Sequence, residues 1–172
     1  MKVVTISGSV REGNNTNKAL NVVELYLKSK NIEVVRIDAL KFDLSLPGSE
    51  DKEDSLKIQE LVSSADAIVM ATPEYHGSYS SVIKMIIENL GFPSVLSGKP
   101  VSLLGVAAGQ LGAVKSLEHL RSVSAHLGMF ALPKSVSIAA VHTVFDEDGL
   151  IKDDAINSRL EGLGQQLIDF VA

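Results

Sequence analysis

With 172 residues, 45% of them hydrophobic, the chain is long enough for one domain with a substantial core, and no linker, repeat or low-complexity tract divides residues 1–172. It contains no cysteine, which excludes disulfides, thiolate metal sites and thiol catalysis, so any redox chemistry requires a bound cofactor. The net charge of -5 argues against nucleic acid and against a membrane surface as partners, leaving small molecules and other subunits.

The chain enters its first strand, Val3–Ser7, with no signal-peptide hydrophobic region ahead of it, and its longest apolar runs are far too short to span a bilayer, so the expected location is cytoplasmic. Gly8 to Asn17 is a polar, glycine-bearing turn, and it opens a helix running to Lys30 with Ala19, Leu20, Val23 and Leu27 on one face. Amide groups in such a loop and in the first helical turn have no intrahelical partners and suit an anion. Ser9, Asn15, Thr16 and Asn17 add neutral donors, and Arg11 adds a charged fork. The Gly8 to Gly13 spacing matches the NTPase P-loop, yet Asn14 and Asn15 stand where its lysine and hydroxyl belong. Val10 occupies the place of the second glycine of the dinucleotide fingerprint. Two readings stay open at this point: a cradle for one terminal phosphomonoester, or a solvated turn with an N-cap at Asn15 or Thr16.

Ile32 to Asp38 reads as a second strand and Leu40 to Asp54 as a long loop, with a surface turn at Gly48-Ser49-Glu50-Asp51. Ser55 is placed to cap a helix running to Ser64 with Leu56, Leu61, Val62 and Ala65 inward. Ala67 to Ala71 is an uninterrupted apolar strand, as in a parallel sheet buried on both faces. A loop over Thr72 to Ser81 follows, then a helix with Val82, Ile83, Ile86, Ile87 and Leu90 inward. Pro100 to Ala107 is a fourth strand, Ala108 to Gly112 a loop, and Ala113 to Leu127 a helix that Gly128 terminates. Phe130 to Val144 supplies the last strand, Asp146 to Gly149 a turn, and Asp153 or Asp154 the cap of a helix through Val171.

Five strands alternating with five helices predict a doubly wound α/β domain: a five-stranded parallel sheet in the order 2-1-3-4-5 with helices on both faces. Ligands of such folds lie beyond the carboxyl ends of the strands where the winding reverses, so the loops after strands one, three and four converge on one crevice. That convergence favours the phosphate cradle.

The three loops together resemble the NADPH-dependent FMN reductases, a family that includes azoreductases, chromate reductases and quinone reductases. Gly8-Ser9-x-Arg11 with Thr16-Asn17 is similar to its FMN-phosphate loop; Pro73-Glu74-Tyr75-His76-Gly77-Ser78, with Ser81 and Lys84 behind, is similar to its flavin-ring loop. Ala108-Gly109-Gln110-Leu111-Gly112 resembles its third loop. The resemblance implies a flavodoxin-like fold, FMN as cofactor, NADPH as co-substrate, and a small electron acceptor (quinone, azo compound, chromate or flavin) that takes turns with NADPH in a ping-pong cycle. It also implies a homodimer or homotetramer packed through the helix that follows the ring loop. The FMN-binding residues it implies are Ser9, Arg11, Asn15, Thr16, Asn17, Pro73, Glu74, Tyr75, His76, Gly77, Ala108, Gly109 and Gln110, with no side chain assigned as a catalytic acid or base. A flavodoxin-like electron carrier is the alternative; the absence of tryptophan and the modest excess of 21 acidic over 16 basic residues favour the enzyme. His119, His126 and His142 show no metal-ligand spacing, and no serine has the flanking glycines of a nucleophile elbow, so neither a metal site nor serine chemistry is predicted.

Overall fold

A computed structural model of the chain describes residues 1–50 and 52–172. Its strands are β1 (Lys2–Ser7), β2 (Glu33–Asp38), β3 (Ala67–Tyr75), β4 (Ser78–Tyr79), β5 (Pro100–Val106), β6 (Phe130–Ala131) and β7 (Val136–Ile138). The helices are α1 (Asn15–Ser29), α2 (Glu53–Ser63), α3 (Ser81–Glu88), α4 (Val114–His126) and α5 (Asp154–Val171). The parallel sheet runs β2-β1-β3-β5 and ends on β6 and β7, both paired to β5. This is the predicted order 2-1-3-4-5, with β6 and β7 together as the fifth strand and β4 lying off the sheet.

The pleat explains why these strands are apolar on both sides. Val3, Ala67, Val69, Ala71, Leu104 and Val106 face a core completed by Ala19, Leu20, Val23 and Leu27 of α1 and Leu160, Leu163 and Leu167 of α5. Val4, Ile6, Ile68, Met70, Val101 and Leu103 face the other core, against Ile58 and Val62 of α2, Ile83 and Ile86 of α3 and Leu117 and Leu120 of α4. Each fully buried side chain of this size stabilises the fold by about 1.5–3 kcal/mol relative to exposure. Two glycines mark where helix and sheet meet most closely. A Cβ on Gly105 would stand 2.6 Å from the Ala113 Cβ, so α4 seats directly on β5; one on Gly164 would stand 2.9 Å from Tyr26 Cδ1, where α5 crosses α1.

Four expectations are corrected. The last strand is not continuous over Phe130 to Val144: Leu132 to Ser135 leave the sheet between β6 and β7, and Val141–Thr143 forms a 3₁₀ turn. Pro133 cannot donate to a strand ladder, and the carbonyls of Ala131, Leu132 and Pro133 turn instead to the Arg121 guanidinium. The expected loop over Thr72 to Ser81 is mostly strand, because β3 continues through Tyr75 and folds back antiparallel as β4. Ser55 does not cap α2; the helix begins at Glu53, and the Ser55 hydroxyl donates to Asn89 Oδ1 at 2.5 Å inside the core. Leu56 is exposed, and Ile58 takes the inward place assigned to it. Of the surface turn at Gly48 to Asp51, Gly48 adopts a left-handed φ of 83°, while Asp51 lies outside the described residues. Asp153 caps α5, as predicted, by accepting from the amides of Ala155 and Ile156. Among the described residues no helix is long and apolar enough to cross a membrane.

Candidate functional site

The carboxyl ends of β1, β3 and β5 open into one cavity of about 420 Å³. Ser9, Arg11, Glu12, Gly13, Asn14, Asn15 and Thr16 form one wall; Pro73, Glu74, Tyr75, Val106, Ala107, Ala108 and Val141 form the rest.

The first wall begins at Gly8, which is squeezed rather than merely flexible. A Cβ there would meet Ile83 Cγ1 at 2.7 Å, the Ala71 carbonyl at 2.8 Å and Ser80 Oγ at 2.9 Å. The Gly8 amide donates to the Ala71 carbonyl at 2.7 Å, and its carbonyl accepts from the Ser80 hydroxyl at 2.6 Å. Ser80 also accepts from the Ile83 amide as N-cap of α3, and its own amide donates to Thr72 Oγ1 at 3.0 Å. One buried serine therefore ties the loop after β1 to the hairpin after β3.

Beyond Gly8 the backbone is left free. The N-cap of α1 is Asn14, not Asn15 or Thr16; its Oδ1 accepts from the Asn17 amide at 2.7 Å. The amides of residues 10–16 donate to no group among the described residues, and neither do the side chains of Ser9, Arg11, Asn15 and Thr16. Ser9 and Thr16 are nonetheless almost wholly enclosed by protein. Donors that open on the cavity without a protein acceptor, a guanidinium and the positive end of a 15-residue helix are the requirements of an anion site. Asn17 is the exception in this stretch. Its Oδ1 accepts from the Ser7 hydroxyl at 2.5 Å, so it braces the loop from behind and does not line the cavity.

The second wall is satisfied internally. β3 and β4 form a hairpin whose two connecting residues, His76 and Gly77, both have positive φ (50° and 73°), the requirement of a tight two-residue turn matching the strand twist. His76 and Gly77 are thus the exposed tip and lie off the cavity, while Pro73, Glu74 and Tyr75 line it. The hairpin docks on α4 at two points. Glu74 Oε2 accepts from the Ser116 amide at 3.0 Å, and Ser78 Oγ lies 3.0 Å from His119 Nδ1. The first contact supplies what α4 lacks, because its N-cap, Ala113, has no side-chain acceptor.

The third wall comes from β5 and its exit. Ala108 lines the cavity, whereas Gly109 and Gln110 are outside its lining, on an exposed turn closed by Gly112, whose amide donates to the Gly109 carbonyl at 3.2 Å. Gly112 has a φ of 70°, and a Cβ there would stand 2.4 Å from Ser137 Oγ. The Ala113 amide donates to that same Ser137 oxygen at 2.8 Å, so β7 fixes the course of the loop. Val141 completes the wall through its amide, which donates to the Ala107 carbonyl at 3.0 Å. Val106, Ala107 and Val141 escaped sequence reasoning for a plain reason: they are apolar and carry no motif. Val141 could have been found only by recognising that Pro133 splits the last strand.

Residues 1–143 match the family described as NADPH-dependent FMN reductase. The chain belongs to that family. It is 32% identical over 164 residues to an NAD(P)H-dependent FMN reductase of Pseudomonas aeruginosa, covering 90% of this chain and 86% of that one. It is 31% identical over 159 residues to an NADPH azoreductase of a Bacillus species, covering 90% and 84%. Its fold superimposes on a flavoenzyme NAD(P)H:(acceptor) oxidoreductase of Paracoccus denitrificans with a TM-score of 0.81 at 23% identity, over 99% of this chain and 96% of that one. This reductase is therefore an FMN-dependent NAD(P)H oxidoreductase with a flavodoxin-like fold. The residues present fit the cofactor. One phosphomonoester would meet one set of unpaired donors, and Pro73, Tyr75, Val106, Ala107 and Val141 give the same cavity an apolar side.

Proposed function

We propose that FMN occupies this cavity with its phosphate on Ser9, Arg11, Asn15, Thr16 and the free amides of residues 10–16, and its ring against Pro73 to Tyr75 and Val106 to Ala108. The observation that carries this reading is the single cavity into which all three switch-point loops open. Bound FMN supplies the two-electron chemistry that no side chain here can provide. The protein's own part is to bind and orient. Arg11 offsets the phosphate charge, the paired hairpin holds the ring edge rigid, and the Gly8 contact keeps the two at a fixed separation. Asn17, His76, Gly77, Gly109 and Gln110 act indirectly, by shaping the loops that carry the contacts.

One opening also implies that NADPH and a small acceptor (a quinone, azo compound, chromate or free flavin) take turns at the same face. Initial rates against NADPH at several fixed quinone or azo-dye concentrations then give parallel lines, with NADP⁺ competing against the acceptor. Intersecting lines with simultaneous binding would overturn the shared face. Rapid anaerobic bleaching by NADPH separates the reductase from an electron carrier, which would bleach slowly or not at all.

The assembly is proposed as a homodimer or homotetramer through α3. Phe92, just beyond that helix, is wholly exposed (102%) and joins Ile87, Val123 and Leu127 in a groove of about 730 Å³ whose rim carries Lys84, Glu88 and His126. Apolar surface of this kind is commonly covered by another subunit. Light scattering of the FMN-loaded protein at micromolar concentration tests this, and a monomer would sink it. The proposed location is the cytoplasm, because the reaction draws on reduced nicotinamide; cell fractionation with activity in the membrane or secreted fraction would refute it.

A further inference from the structure

The cavity carries fixed charge on two walls: Arg11 and Glu12 side by side on the cradle wall, and Glu74 on the hairpin wall beside the apolar residues that suit the ring. Glu74 is half-buried, and its carboxylate is held in place rather than free to swing into water, since Oε2 accepts the Ser116 amide at 3.0 Å. That amide belongs to the first turn of α4, whose N-cap offers no side-chain acceptor, so the carboxylate also meets the positive end of that helix. The nearest cation on the same turn is committed elsewhere. Lys115 is exposed and pairs with Glu118 at 2.9 Å; that hydrogen bond is the main reason its pKa is raised, with Glu74 a lesser one.

We propose that Glu74 holds down the reduction potential of FMN in this chain, its fixed carboxylate at the ring end of the cavity opposing the negative charge that reduction adds. A charge held in a partly desolvated wall acts on a neighbouring charge far more strongly than one in water. Glu74 consequently has two separable functions: a strut from the hairpin to α4, which needs only an oxygen acceptor, and a field on the ring, which needs the charge. The inference rests on FMN lying in this cavity.

The test uses purified holoprotein and three measurements: the midpoint potential of bound FMN, the dissociation constant of oxidised FMN, and the melting temperature of the apoprotein. Glu74→Gln keeps an acceptor for the Ser116 amide. It leaves apoprotein melting near wild type while the ratio of reduced to oxidised FMN affinity rises about tenfold, a shift of about 30 mV to more positive potential for a two-electron couple. Glu74→Ala shows the same positive shift together with a lower apoprotein melting temperature. A Glu74→Gln potential equal to wild type, or loss of FMN binding in that variant, overturns the proposal. Should Glu74→Gln fail to fold, Glu74→Met decides: it removes the charge at similar length and moves the potential in the positive direction, and no movement overturns the inference. Failure of the underlying reading looks different. In that case Arg11→Ala apoprotein binds FMN as tightly as wild-type apoprotein does.

Discussion

The two walls of the cavity solve opposite problems. Along the loop after β1, the amides of residues 10–16 and the side chains of Ser9, Arg11, Asn15 and Thr16 have no partners among the described residues. Along the hairpin after β3, nearly everything is paired: Glu74 with Tyr79 and Tyr75 with Ser78 across the strands, Glu74 with Ser116, Ser78 with His119 and Ser80 with Thr72. Donors that face the cavity without protein partners are free to bond an anion, whereas a paired hairpin offers shape and little else. The first wall should therefore govern how tightly FMN is held and the second how it is oriented. Gly8 and Ser80 are the joint between them.

The sharpest way to break this division is at the joint. Gly8→Ala places a methyl within 2.9 Å of Ile83, the Ala71 carbonyl and Ser80 together, two of which cannot move without opening the sheet or uncapping α3. Destabilisation of about 3 kcal/mol is expected, the upper end of overpacking, with FMN affinity falling as the walls separate. Denaturant melts of apoprotein and holoprotein check this, and a near-wild-type melt would mean the joint is soft. Next in size is Arg11→Ala, which should weaken FMN by about 1.5–3 kcal/mol, the range for a hydrogen bond to a charged group, while leaving riboflavin binding nearly unchanged. Equal losses for both ligands would place Arg11 away from the phosphate.

How much of this was legible follows from what each feature is made of. Strand order and the two cores were readable because they are periodic: β-branched runs alternating with helical stripes admit few topologies. The cradle was readable because Ser9, Arg11, Asn15 and Thr16 are polar residues at a place where topology puts a ligand. The hairpin was not readable, since Pro73-Glu74-Tyr75 has the composition of a loop, and only pairing with β4 makes it a strand. Asn14 was passed over as the cap of α1 because two neighbouring residues, Asn15 and Thr16, could have served as well; which one caps depends on the backbone path from Gly13, whose φ is 61°. The reason for Gly8 was also hidden. Its spacing to Gly13 suggested a phosphate turn, whereas its role is to admit Ser80 and Ile83, residues more than seventy positions away.

A smaller perturbation of the joint is Ser80→Ala, which removes the N-cap of α3 and the donor to the Gly8 carbonyl without adding bulk. Loss of about 1–2 kcal/mol of stability is expected, from the range for helix caps and single buried hydrogen bonds. If the joint transmits orientation, NADPH turnover falls more than FMN affinity does; a proportional fall in both would indicate general loosening instead.

The smallest expected effects come from a pair of neighbours in α1 that sequence alone could not tell apart. Asn15 lines the cavity with no partner for its side chain, whereas Asn17 is turned behind the loop, its Oδ1 taken by the Ser7 hydroxyl. Asn15→Ala should cost about 0.5–1.5 kcal/mol of FMN affinity and leave the apoprotein melt unchanged, because the bond it loses exists only with ligand. Asn17→Ala should do the reverse, lowering apoprotein stability by a similar amount by leaving the buried Ser7 hydroxyl only its long 3.4 Å contacts with Ser9, with riboflavin and FMN affected alike. The two losses are compared by FMN titration and thermal melts on the same preparations. If Asn17→Ala proves the more damaging to FMN and spares riboflavin, then Asn17 reaches the phosphate, and the division between a wall of free donors and a braced scaffold behind it does not hold.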